Sequence, residues 1–396
     1  MGAEVVVAPV GNPKGYKEVA YVVGGVEVRE RLSALAVKKA MGAERLLLLA
    51  GFSLCEVYGG CGDFRSGAEV VKRGVRTELG LPGDADVAVL PNALGAKFRF
   101  ADRKTEGYFA SAYREILKRL DAWAPSSIVV DTSHGINYMS LMAVEAARLA
   151  AAVLAASNKE AVEITVVNSE PLVGDAERLH VMELHRERIT PSSAVQLVAR
   201  PFLVNENKGY FQAYAGKCGV DKPFKWGRAL FNGVYLYLAA RRGEAAECRD
   251  YLEGEFEVQV KGHGGVYIYE KYPRPQHAYL HALTDVVSRI FPKEAGELSA
   301  GELENLARIY APSEAVEAIV RNELDKLRRI LAEPVCRGER AKLADITEGV
   351  KARCAADRRN LYAHGGLEKN VTYVKCQGGD LYFSYGECLD EVDRHL

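Results

Sequence analysis

Between residues 5 and 168, short apolar runs alternate with longer stretches of helical periodicity, and that alternation restricts the fold more than any other property of the chain. Residues 5–10 (VVVAPV) are apolar without interruption, the pattern of a strand covered on both faces. Residues 46–50, 86–90, 128–131 and 162–168 repeat it. Helical segments at 32–41, 68–79, 107–123 and the alanine-rich 136–156 stand between them. Residues 21–28 read as a hairpin turning on Gly24-Gly25. Strands separated by helices pack as a mostly parallel, doubly wound sheet of Rossmann-like type.

In such a sheet ligands sit beyond the carboxyl ends of the strands, near the point where strand order reverses. Two strand-end loops are suited to this. One is Gly11-Asn12-Pro13-Lys14-Gly15-Tyr16. The other is Asp131-Thr132-Ser133-His134-Gly135-Ile136-Asn137-Tyr138, with two hydroxyls, a glycine that admits a close backbone approach, and a helix start behind it. The free N–H groups of a helix start favour an anion. Asp131 to Ser133 also suit plain helix capping. Neither loop matches a Walker A or GxGxxG pattern, which disfavours ATP hydrolysis and dinucleotide binding.

The second half changes character. Residues 170–193 are polar and charged and read as an exposed connecting helix, with His180 and His185 as surface residues. Beyond residue 194 helices are expected at 227–241, 278–291, 301–310, 313–331 and 341–365. Short hairpins are expected at 256–269, turning at 262–264, and at 372–385, turning on Gly378-Gly379. The expected fold class is therefore α/β plus mainly α, with domains at 1–172 and 196–396 joined by a helical linker at 173–195. His277 and His281 share one helix face but lack the HExxH glutamate and a third ligand, so no metal site is expected there.

The segment Asp357-Arg358-Arg359-Asn360-Leu361-Tyr362-Ala363-His364-Gly365-Gly366 carries the most chemistry. Arginine grips phosphate with a fixed charge and a fork geometry. Histidine is the usual proton carrier near neutral pH. RNA brings its own nucleophile, the 2′-OH, so cleavage by such a set needs no metal in principle. Asn360 and His364 share a helix face, whereas Arg359 and His364 are roughly 140° apart around an ideal helix. They meet on one phosphate only at a fraying helix end or across two copies of the segment. A capped helix end ending in glycine explains the same residues without catalysis.

With 52 Lys and Arg against 53 Asp and Glu, the formal net charge is −1, so any nucleic-acid site must be a local patch. No apolar run approaching a membrane span is expected, and Met1-Gly2-Ala3-Glu4 lacks a signal-peptide layout, which places the protein in the cytoplasm. Eight cysteines show no CxxC or zinc spacing. Five Gln among many Arg and Glu lean towards a thermophile, where intracellular disulfides occur. Cys55–Cys61 and Cys376–Cys388 are the pairs to inspect.

The Arg359-Asn360-xxx-His364 pattern resembles the catalytic motif of HEPN ribonucleases, and Gly11-Asn12-Pro13 with residues 131–138 resembles the paired nucleotide-binding loops of CARF domains. Together, in this order, they make the chain similar to the CRISPR-associated CARF–HEPN ribonucleases of type III systems. The resemblance implies a CARF domain at 1–172, a HEPN domain at 196–396, and a homodimer that binds a cyclic oligoadenylate and cleaves single-stranded RNA. It implies cyclic tetra-adenylate, or cyclic hexa-adenylate, as activator, and no other cofactor. By the same carry-over, Arg359 and His364 are catalytic and Asn360 supporting. Gly11, Asn12, Pro13, Thr132, Ser133, His134, Gly135, Ile136 and Asn137 line the ligand pocket. Two other readings stay open: a nucleotide-sensing regulator that binds DNA or protein without nuclease activity, and a sensor pocket that cleaves its own ligand.

Overall fold

The apolar runs form strands, and their order explains why two loops meet. The structure, a computed structural model, describes residues 4–173, 176–212, 218–219, 221–291, 296–331, 340–349, 351 and 353–396. The first half contributes β1 (Glu4–Val10), β2 (Val19–Val23), β3 (Val26–Glu30), α1 (Ser33–Met41), β4 (Arg45–Gly51), α2 (Cys55–Tyr58), α3 (Phe64–Leu79), β5 (Ala85–Leu90), β6 (Phe98–Phe100), α4 (Glu106–Trp123), β7 (Ser127–Asp131), α5 (Asn137–Asn158), β8 (Val162–Ser169) and β9 (Arg178–Ile189). Eight of the strands form one sheet in the order β3-β2-β9-β8-β7-β1-β4-β5. Its five strands from β8 to β5 are parallel, as the alternation predicts. From β1 the chain moves outward to β4 and β5, then returns to the other flank of β1 as β7 and β8. The switch point therefore lies between β1 and β7. Val5, Val6, Val7 and Leu46 to Leu49 are fully buried, as a sheet covered on both faces requires.

Three expectations are corrected in this region. The linker at 173–195 is not helical: Arg178–Ile189 is β9, antiparallel to β8 and parallel to β2. A bulge opposite Val166/Val167 breaks its apolar alternation at Leu184, and its charged residues stand on an exposed sheet face. His180 and His185 are exposed as expected, but on a strand. The hairpin of the second half, β10 (Gln259–His263) and β11 (Val266–Lys271), turns on Gly264-Gly265, and β11 pairs in parallel with β6. Glu253–Ala278 accordingly clusters with Met1–Ala155 and Glu160–Ile189, outside the 196–396 boundary. Finally, α5 has the length and composition of a membrane span, with hydropathy 1.6, contrary to the reading of the apolar runs. It is a core helix, with 67% of that stretch buried.

The second unit is helical: α6 (Pro191–Ala199), α7 (Lys208–Gln212), α8 (Lys222–Phe231), α9 (Tyr235–Ala240), α10 (Arg242–Glu253), α11 (Pro275–Ile290), α12 (Ala300–Tyr310), α13 (Glu314–Leu331), α14 (Leu343–Glu348), α15 (Arg358–Ala363) and α16 (Leu389–His395). A small sheet, β12 (Leu298–Ser299), β15 (Asp380–Ser384), β14 (Tyr373–Gln377) and β13 (Ala341–Lys342), is built on the expected Gly378-Gly379 hairpin. The helix expected over 227–241 breaks at Gly233. The one expected over 341–365 stops at Gly349 and resumes only as α15, capped by Asp357. His277 and His281 are both buried, and no metal-holding cluster exists among the described residues.

Disulfides join Cys55 to Cys61, Cys218 to Cys248 and Cys354 to Cys388. Cys376 is also disulfide-bonded, so the Cys376–Cys388 pair is not formed. Cys336 lies outside the described residues. On a chain-entropy account, the bridges that close loops of 30 and 34 residues are each worth about 3–4 kcal/mol.

Candidate functional site

The first candidate site lies at the switch point. Strands β1 and β7 are neighbours, so the loops leaving their carboxyl ends meet: a Cβ on Gly11 would sit 3.8 Å from Gly135 Cα. Gly135 has φ +102°, and a Cβ there would lie 3.0 Å from Pro9, so glycine is required for the approach. A cleft of about 540 Å³ opens above them, lined among others by Tyr16, Lys17, Arg31, Thr132, Ser133, His134, Asn137 and Asn168. Arg31 fixes one wall. It donates to the Tyr16 and Pro13 carbonyls at 3.2 and 3.0 Å and to Glu78 Oε1 at 3.1 Å. Buried Asp131 fixes the other, accepting from Ser33 Oγ and from the N–H and hydroxyl of Ser133.

Inside the cleft the His134 ring lies 4.5 Å from the Tyr16 ring, and Nε2 accepts from the Ser33 N–H at 3.3 Å. An N–H aimed at Nε2 requires the lone pair there. Burial lowers the His134 pKa, against the opposing pull of Asp131. Both observations make the ring neutral, so it offers stacking surface to a ligand and no positive charge. Burial pushes the Tyr16 and Tyr21 phenols up to about 12, which keeps both uncharged.

The second candidate site is on the second unit. Asp357 accepts from the Asn360 N–H at 2.9 Å and starts α15, while His364 ends it. Gly365 (φ +57°) and Gly366 (φ +86°) then turn the chain so closely that Cβ atoms would lie 2.7 Å from Val320 Cγ2 and 2.9 Å from Val234 Cγ1. That turn seats His364 against α13, where its Nδ1 meets Glu323 Oε2 at 3.1 Å. Asn360, His364 and Glu323 share a cleft of about 410 Å³ with Lys326, Glu368 and Lys369. Burial raises the Glu368 pKa, the nearby His364 opposing it. Arg359 is exposed, outside this cleft, and has no side-chain partner among the described residues. An Nδ1 held by a carboxylate and a free Nε2 is the arrangement of a proton-transfer group.

Residues 5–171 match the family profile described as "CRISPR system endoribonuclease Csx1, CARF domain", and residues 313–387 match "CRISPR system endoribonuclease Csx1, HEPN domain". A curated relative, the CRISPR system endoribonuclease Csx1 of Methanocaldococcus jannaschii, is 26% identical over 411 residues, covering 94% of this chain and 86% of its own. The chain belongs to the CARF–HEPN CRISPR-associated ribonucleases. The first cleft is thus in the CARF domain and the α15 cleft in the HEPN domain.

Of the expected CARF residues, Thr132, Ser133, His134 and Asn137 line the cleft, whereas Gly11, Asn12, Pro13, Gly135 and Ile136 do not. Gly11 donates its N–H to the Tyr16 hydroxyl at 2.7 Å, Asn12 caps the turn at Pro13–Gly15, and Pro13 is buried. These residues shape the loop and leave the surface to Tyr16. Of the HEPN residues, the chain brings Asn360 and His364 together in one cleft, which Arg359 does not line, as the helix geometry anticipates. Sequence reasoning missed Arg31, Tyr21 and Asn168 in the CARF cleft and Glu323 in the HEPN cleft. Asn168-Ser169-Glu170 was findable as a polar triplet ending an apolar strand. Glu323 is one acidic residue among many on an amphipathic helix, with no local signal.

Proposed function

We propose that this chain is an endoribonuclease that cuts single-stranded RNA without a metal, in type III CRISPR defence in the cytoplasm. Arg359, Asn360 and His364 would form its HEPN site, and the CARF cleft would take a cyclic oligoadenylate, cyclic tetra-adenylate first, as activator. The observation that carries this reading is the His364–Glu323 contact beside Asn360. Glu323 holds Nδ1, so Nε2 takes the proton of the RNA 2′-OH. The 2′-oxygen then attacks the adjacent phosphorus, and the 5′-oxygen of the next nucleotide leaves as it takes a proton from solvent. Arg359 balances the charge that builds on the non-bridging oxygens. The products are a 2′,3′-cyclic phosphate and a 5′-hydroxyl. As Arg359 lies outside the cleft of its own protomer, the complete site on this reading belongs to a homodimer.

Mass analysis of the cleaved ends tests the chemistry. A 2′,3′-cyclic phosphate is expected, together with full resistance of an oligonucleotide carrying a 2′-deoxy sugar at the cut position. A 3′-hydroxyl end would contradict it. The regulator reading loses its main support, because the charged segment it used is β9. Arg178 there pairs with Glu27, and Arg186 with Glu163 and Glu183.

A further inference from the structure

We infer that the HEPN unit carries a second, separate anion subsite that holds the RNA backbone beside the cut position. This rests on the proposed RNA substrate. A cleft of about 370 Å³ lies where α8, α16 and α15 converge, and its lining includes Lys208, Lys225, Arg228, Arg358 and Arg394 beside Asp221, with Arg228 donating to the Leu396 oxygen at 2.9 Å. The chain as a whole is balanced at −1, so five cations around one cavity form a local patch of the kind that binds phosphate. Three of them are held in place by acids: Lys208 by Asp221 at 2.8 Å, Lys225 by Asp393 at 2.5 Å and Arg394 by Glu391 at 2.9 Å. Arg358 has no carboxylate partner among the described residues and stands over the Tyr362 ring at 5.8 Å. Its charge is left for a ligand.

Position on α15 ties this cleft to catalysis. Arg358 opens into it, while Asn360 and His364 open into the other cleft, and exposed Arg359, between them in sequence, lines neither. The whole helix has six residues, about 9 Å at 1.5 Å per residue. A single strand crossing α15 would place one phosphate at His364 and a flanking phosphate among Arg358, Lys208 and Arg394. Its lining is dominated by cations, so the subsite supplies affinity and direction chiefly through charge.

The test is fluorescence anisotropy with a 2′-O-methyl RNA 12-mer, which cannot be cut, over a series of salt concentrations. Arg358→Ala and the Lys208→Ala/Arg394→Ala pair are compared with wild type. Each lost phosphate contact lowers the slope of log affinity against log salt by about 0.7. Both the single and the double variant are expected to bind at least five-fold more weakly at 0.1 M salt. Arg394→Lys should retain wild-type binding. Unchanged affinity and slope in variants that melt with the wild type would overturn the subsite. Weaker binding in these variants, with no RNA cleavage by wild type under any condition, would leave the subsite standing and reject the nuclease reading instead.

Discussion

Two histidines show how the same side chain is set to different tasks by its neighbours. His364 is half-exposed, with Nδ1 on a carboxylate, so replacing it removes both proton transfer and its place in the cleft. His364→Ala should lower kcat at least about 100-fold, within the range of general acid–base loss. Glu323→Gln keeps the shape but not the charge, and should lower kcat about ten-fold. Steady-state cleavage of a labelled oligonucleotide across pH 5–9 checks both. His277 is buried and accepts the Arg274 N–H on Nδ1 at 3.0 Å. Burial first, then the charges of Arg274 and Lys271, bring its pKa down to about 4 from 6.5. The unfolded chain therefore binds more protons than the folded one between those values, and stability rises with pH across that window. His277→Gln should flatten the rise of melting temperature between pH 4 and 6.5, a difference of at most about 3 kcal/mol. A profile parallel to wild type would refute this assignment.

At the scale of elements, the glycines that end α15 decide where His364 sits. Gly365→Ala forces a Cβ onto Val320 at a left-handed φ and should cost about 1–3 kcal/mol, measured by denaturant unfolding. Gly264→Ala, in the β10–β11 turn, shares φ +57° but faces open space. It should cost about 1 kcal/mol and leave RNA cleavage unchanged, whereas Gly365→Ala should impair it. Elements with one dominant period were legible in the sequence. The five buried parallel strands read correctly because both faces demand apolar residues, and the Gly24-Gly25 and Gly378-Gly379 turns because two consecutive positive φ angles demand glycine. β9 did not read, since a bulge shifts its pattern by one residue. The lining of the two clefts was legible where it is local in sequence, as for Asn360 and His364 and for Thr132, Ser133, His134 and Asn137. It was illegible where a tertiary contact supplies the partner, as with Glu323 and Arg31.

For the molecule as a whole, the separation of Arg359 from the His364 cleft fits an assembly better than an isolated chain. The CARF unit has a surface suited to one. Leu141 on α5 and Leu184 on β9 are 72% and 58% exposed. They line an open apolar hollow that shares Thr132, Asn137 and Asn168 with the ligand cleft. Exposed apolar patches of this kind mark interfaces. The Leu141→Arg/Leu184→Arg pair should convert a species of twice the 43.4 kDa chain mass into monomer in sedimentation, with loss of RNA cleavage. A dimer that survives the pair would place the interface elsewhere. The most direct test of the account is cleavage of a labelled single-stranded RNA in EDTA, with and without cyclic tetra-adenylate, by wild type and by His364→Ala. The account predicts ligand-stimulated cleavage by wild type and none by the variant. Equal cleavage by the two proteins would contradict it.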